Sequence, residues 1–545
     1  MAYLDTYSGT LTSSTAAHLL RRATFGPTNQ EIADFTGKTA AEAVDLLIAN
    51  SSFRATPPPP VEMDSTRADA GQPFFGKPFE TERNPPYYNY VRYWWVGLMT
   101  EQLGRPSVLE KLTAFWQNHF VVTYGAVQDY RFMDRYLRLL RSNALGNFRN
   151  LVIEVAKDPG MLVFQNGNEN TKEQPNENFA RELQELFTVG QKDFYGNYNY
   201  TEGDVKTAAQ VLTGWQVTNR FKEQSTSIGM SFTPARHDTS NKIFSVKYNN
   251  TEIVGRSSAT GGEEELAELT EMLLRHPECP KFICRKLYRW YVNTNVTQEI
   301  EDQIIVPLAA FFSSAANNYK IEPVLRKLLS SNVFFDSKNI GAIIKSPAEL
   351  MIGAVRIFDQ KVPDLTTDYA AFQKMMNYLS YGMSALQLNL LNQPSVFGSP
   401  AYYQTGFSKN WINESMLGLR GSRTDSLVYP YLEIKPGYIL GVDILSRLRN
   451  IQPNFSDVAA SPAITCEQVL AELSKNLFAL ELSQSQKDFL IDSIMMMKSS
   501  PRSTWIREWD AYRATPDNVS RQNAILWRCR ALLKYMLRMA EYQVF

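Results

Sequence analysis

The chain has 545 residues, 44% hydrophobic and 21% charged, and its 56 lysines and arginines are matched by 56 aspartates and glutamates. That length and composition describe a globular protein with a large core. A zero charge balance gives no electrostatic motive for nucleic acid or an anionic membrane as partner. No run reaches the roughly 18 apolar residues of a spanning helix, so no transmembrane segment is expected.

Apolar residues recurring every three or four positions predict helices over 16–23, 40–49, 91–103, 108–118, 131–140, 148–156, 177–189 and 202–213. Thr201 with Asp204 reads as a capping box for the last of these. Residues 55–90 interrupt the pattern with Pro57 to Pro60 and further prolines at 73, 78, 85 and 86. Lacking donors for regular structure, they predict an extended arm, functional or wrapped on the surface. Residues 221–262 carry the one strand signal, 243–248 and 252–254 around Asn249-Asn250, which reads as an inserted β-hairpin. Helices are expected again over 263–275, 277–292, 299–314, 323–329 and 347–358. Residues 361–435 read as mixed and turn-rich, and 436–545 as a C-terminal segment that is helical from Cys466 onward. The expected fold is therefore mainly α, one multi-helix globular body over 1–545 with a small β-hairpin insertion and a proline-rich extended arm. Four cysteines (Cys279, Cys284, Cys466, Cys529) are too few for a disulfide framework and are expected as buried thiols.

The segment from Pro175 to Gly190 carries the strongest functional signal. Pro175 and Asn176 open a helix and Gly190 closes it, with Phe179, Leu183, Leu186 and Phe187 on one arc. Asn178, Glu182 and Glu185 line the shoulder of that arc. Carboxylates so near a buried face need partners, because an unpaired buried charge is costly. The partner is a metal, a substrate or a cation such as Arg181, which also has Glu177 and Glu185 at i±4.

Histidines are scarce, at positions 18, 119, 237 and 276. His18 reads as a packing or capping residue, and His276, before Pro277, as an N-terminal cap. His119 ends an aromatic-rich helix, and His237 sits beside Asp238 in a polar loop. His119, Glu182, Glu185, His237 and Asp238 together would make a sensible divalent-metal site, although no E-x-x-H or H-E-x-x-H occurs. There is no P-loop, no G-x-G-x-x-G and no G-x-S-x-G elbow.

The Pro175–Gly190 stretch resembles the signature of domain of unknown function 1800, a large bacterial family. Ala17 to Pro27, Phe115 to Phe120, Asp158 to Met161, Leu212 to Trp215, Ala235 to Asp238, Phe397-Gly398 and Trp411 to Asn413 resemble further family motifs in the same order. Members of that family often carry histidine where this chain has Gln117, and some where it has Phe187, so the resemblance implies a reduced metal site here or none. It also implies a partner, because genes of this family often neighbour those of domain of unknown function 1501, a phosphatase- and sulfatase-like family.

Two functions are expected. The first is a metal-dependent enzyme, hydrolase or oxidoreductase, with Glu182, Glu185, His119 and His237 around the metal, and with Glu177 as base and Arg181 beside it. The second is a non-catalytic assembly partner of the phosphatase/sulfatase-like protein, with the 55–90 arm as docking segment. Carbohydrate cleavage needs only two acids and stacking aromatics and is a third. The N-terminus shows neither a basic nor an apolar signal region. The expected location is therefore cytoplasmic, or outside as passenger of a signal-bearing partner.

Overall fold

Most predicted helices form where periodicity puts them, because their starts are written in the sequence. Thr12, Thr28, Thr39, Thr201, Ser346, Thr465 and Ser483 each close a capping box with the residue three positions on. The computed structural model describes residues 3–100, 104–403 and 407–545. Within them one hydrophobic cluster runs from Leu4 to Tyr542 through nearly every helix, and the only sheets are three antiparallel pairs of strands. The fold is mainly α, with a single core. All four cysteines are buried and unpaired. Among the described residues no helix is long and apolar enough to cross a membrane.

The proline-rich arm is wrapped onto the body. Val61, Met63, Phe74 and Phe79 are buried, and the Phe74 ring stacks on Tyr87 at 4.2 Å. Glu62, fully buried in the arm, takes Arg83 at 2.5 Å and Arg67 at 3.2 Å. Pro85 and Pro86 belong to the first turn of the Asn84–Thr100 helix rather than to the arm, a place where proline's missing N–H costs nothing. The last residues of the predicted 91–103 helix, 101–103, lie outside the described residues.

The 221–262 insertion is more irregular than its alternation suggested. Pairing is limited to Lys242–Ile243 with Glu252–Ile253, and Val246–Tyr248 forms a 3-10 turn. Asn249 and Asn250 make the turn, both at positive φ. A second hairpin, Trp215–Thr218 with Gly229–Phe232, precedes it and was not expected.

Residues 361–435 are mixed, as read, with more helix than the sequence suggested. Two long helices, Tyr369–Ala385 and Glu414–Val428, lie there. Their glycines are packing devices: a Cβ on Gly382 would meet Met351 Cε at 2.4 Å, and one on Gly421 would meet Arg538 Nε at 2.9 Å. Position 436 falls inside the third hairpin, Leu432–Lys435 with Tyr438–Leu440, so the C-terminal segment starts within a turn. Its long Val519–Arg538 helix packs on Glu414–Val428, where Asp425 takes Arg538 at 2.5 Å and Lys534 at 3.4 Å.

Candidate functional site

Asn176 caps the site helix by accepting from the Asn178 N–H. The helix is α only from Glu177 to Glu182; Leu183–Thr188 is a π-helix, a wider turn often found where function needs a re-aimed backbone. The Val189 and Gly190 N–H groups both donate to Gln184 O at 3.0 Å, and Gly190 ends the helix at φ +79. That ending leaves the Leu186 and Phe187 carbonyls without helical donors.

Side chains from two other helices take those carbonyls. His119, at the end of Leu109–His119, lies with Nε2 3.0 Å from Phe187 O. A carbonyl only accepts, so Nε2 carries the hydrogen and Nδ1 carries a lone pair. Lys286, on the Glu278–Tyr291 helix, donates from Nζ to that Nδ1 at 2.9 Å and to Leu186 O at 3.1 Å. Burial, then Lys286, holds the His119 imidazole neutral, well below its ordinary range. Among the described residues no carboxylate pairs with Lys286; burial and the Arg289 guanidinium push its ammonium down to about 7. Its Nζ also sits 4.6 Å from the centre of the Phe282 ring.

His119, Lys286 and Glu185 line one open cleft of about 460 Å³, with Phe282 and Phe397 as apolar walls and Arg289 at its edge. Glu185 accepts from the Tyr200 hydroxyl at 2.6 Å. The structure thus brings together two of the predicted site residues, His119 and Glu185, and adds Lys286.

The other predicted residues lie elsewhere. Glu182 is half-buried without lining the cleft, and burial followed by the Glu185 charge raises its carboxyl to about 7. Arg181 reaches Glu202 at 2.6 Å and Glu177 at 3.5 Å, not Glu185. His237 is enclosed with Nδ1 2.9 Å from Thr213 O and Nε2 3.0 Å from Glu265 Oε1. Asp238 turns its carboxylate back to Ser240. Both ring nitrogens of His119 are therefore already engaged, and His237 has Nδ1 hydrogen-bonded and Nε2 facing the Glu265 carboxylate. Among the described residues no three His, Cys, Asp or Glu side chains stand close enough to hold a metal. The five expected ligands do not form one donor set, and a metal does not fit them as they stand. His18 and His276 have the structural roles expected. His18 Nε2 lies 3.0 Å from Phe334 O, and His276 Nδ1 accepts from the Glu278 N–H at 3.2 Å.

A family model described as "Protein of unknown function (DUF1800)" matches residues 18–544. The chain belongs to this family. No curated protein and no solved structure matches it. The DUF1800 motifs at Phe115–Phe120 and Pro175–Gly190 meet in space at the His119–Phe187 contact. Lys286, which completes the site, lies outside every motif that carried the resemblance. One signal was present: positions 282, 283, 289 and 290, its helical neighbours, are Phe, Ile, Arg and Trp, so no acid on its own helix neutralises it.

Proposed function

We propose that this DUF1800 protein is an enzyme whose reacting group is the Lys286 amine, acting on a small carbonyl compound bound in the cleft. The observation that carries the reading is the lysine's environment. Its nitrogen has no acidic partner, its ammonium is depressed to about 7, and it opens onto a cleft of about 460 Å³. In the neutral amine both N–H bonds are taken, by His119 Nδ1 and Leu186 O. The lone pair is then what remains for a substrate.

Attack of that lone pair on a carbonyl carbon forms the C–N bond. The nitrogen gives up two protons in all: one goes to the carbonyl oxygen, and the second leaves with the resulting hydroxyl as water, giving an imine. His119 Nδ1, in contact with the amine, is placed to carry them, and its neutral state suits it to accept. Phe282 and Phe397 supply apolar walls to the cleft, while burial and Arg289 disfavour the charged ammonium.

The assembly reading predicted a large apolar patch near the arm; no exposed large apolar side chain lies between 55 and 90, and beside the arm Phe53 and Phe221 are exposed. The enzyme reading rests on the Lys286 cleft and not on that surface.

Reductive trapping tests the proposal. Small aldehydes with cyanoborohydride at pH 7 should modify Lys286 ahead of the other lysines, with a rate that rises through pH 7. Lys286 reacting at the pace of an ordinary surface lysine sinks the idea.

A further inference from the structure

A second site, lined by none of the cleft's residues, lies where the Ala17–Pro27 motif meets the C-terminal segment. Four basic side chains are buried there. Arg21 and Arg22 come from the Ser13–Ala23 helix, Lys345 from the segment before Pro347–Ile357, and Arg420 from Glu414–Val428. Arg21 and Lys345 line a small cavity of about 30 Å³ with Tyr542 and Phe545. Arg22 lies over the Phe545 ring at 4.7 Å, and Arg420 stands close enough to Lys345 to lower its pKa.

Their donors exceed the acceptors around them. Arg21 Nη2 donates to Asn476 O at 2.7 Å, and Arg22 Nη2 to Asn339 O at 2.6 Å. Arg22 Nε and Nη1 have no acceptor. Arg420 Nε donates to Gln543 Oε1 at 2.7 Å, while its Nη1 and Nη2 have none. Lys345 Nζ rests 3.6 Å from the centre of the Tyr542 ring and has no carboxylate partner. Among the described residues the one acidic side chain lining the cavity is Glu349. Glu349 is already spent on Lys111, with which it forms a close buried ion pair, and on the Ser346 N–H. Four enclosed cations beside one carboxylate that Lys111 already holds are a costly arrangement in a protein interior.

We infer that this cavity binds a small inorganic oxyanion of the phosphate or sulfate type, held by Arg21 and Lys345, which line it, with the buried guanidinium groups of Arg22 and Arg420 adding positive charge from behind the lining. The size fits. The cavity holds the equivalent of about two or three water molecules, which matches an inorganic anion rather than a nucleotide or a sugar phosphate. The chemistry fits too, because guanidinium groups present paired N–H donors to oxyanions. A bound anion would join the N-terminal helix to the C-terminal segment.

The test uses the full chain. After exhaustive dialysis, the protein is denatured and the released anions are quantified by ion chromatography. Thermal unfolding is then followed in phosphate, sulfate and chloride at matched ionic strength. One equivalent of phosphate or sulfate per chain, or a Tm that climbs with phosphate or sulfate but not with chloride, is the expected result. Lys345→Met should fold and bind the oxyanion at least about tenfold more weakly, since a charge-assisted bond is lost. If it does not fold, Arg21→Gln, the other cation lining the cavity, carries the same comparison. No released oxyanion together with equal Tm values in the matched salts overturns the inference. So does undiminished oxyanion binding by the folded variant.

Discussion

At the residue scale, Glu182 and Lys286 pull stability in opposite directions with pH. Burial and the Glu185 charge raise the Glu182 carboxyl from 4.5 to about 7. Between those values the folded state binds a proton that the unfolded state has lost. Its contribution to stability is therefore complete below pH 4.5 and disappears as pH rises through 7. Glu182→Gln keeps the shape and removes the titration, so urea midpoints between pH 4.5 and 7 should fall less steeply than in the wild type. An unchanged slope removes Glu182 as its source. Lys286 is depressed from 10.5 to about 7, so its contribution is present above pH 10.5 and lost as pH falls through 7. His237, Lys242 and Glu265 show the cost of incomplete pairing. Glu265 lies 3.0 Å from His237 Nε2 and 2.7 Å from Lys242 Nζ, all fully enclosed. Glu265→Leu strands a buried cation and should cost about 3–5 kcal/mol in equilibrium unfolding.

At the element scale, the π turn and its glycine stop decide what the site helix can do. Thr188 Oγ1 donates to Leu183 O at 2.6 Å, supporting the widened turn from inside. Gly190 holds φ +79, and a Cβ there would meet Phe282 Cδ2 at 2.9 Å. Gly190→Ala therefore has two costs, about 1–2 kcal/mol for left-handed backbone and a push on a wall of the cleft. Denaturant unfolding should show at least that loss, and Lys286 should trap aldehydes more slowly as Phe282 shifts. Full stability with full trapping would mean that the turn is not needed in this form.

At the scale of the whole molecule, distant segments are tied by enclosed polar groups. Arg356 reaches both oxygens of Glu31, at 2.6 and 2.7 Å, and donates to Thr100 O at 2.6 Å. It also bonds Gly26 O, joining three stretches of chain around the Pro347–Ile357 helix. Arg356→Met should cost about 3–5 kcal/mol, because Glu31 is left charged and dry. Adding Glu31→Leu should recover most of that loss. Calorimetry of the single and double variants checks both figures, and a double variant no better than the single one would refute the pairing argument. With one continuous core, unfolding should be a single transition in each case.

Helix positions were legible because their signals are local. Periodicity and caps such as Thr201 with Asp204 act within a few residues, so the structure keeps most of them. The two helices in 361–435 were not singled out within a stretch read as mixed, and the glycines inside them, Gly382 and Gly421, have neighbours that leave no room for a Cβ. The Pro175–Gly190 segment was recognisable as a capped helix carrying a family motif, but its π turn was not. The sequence by itself determined the helical body, its family and the neighbourhood of His119 and Glu185. Only the tertiary structure decided which polar groups meet. It put Lys286 on His119, sent His237 to Glu265, and buried four basic side chains near Glu349, a carboxylate that Lys111 already holds. Meetings of that kind join residues many turns apart, and their energy depends on burial, which no local pattern records.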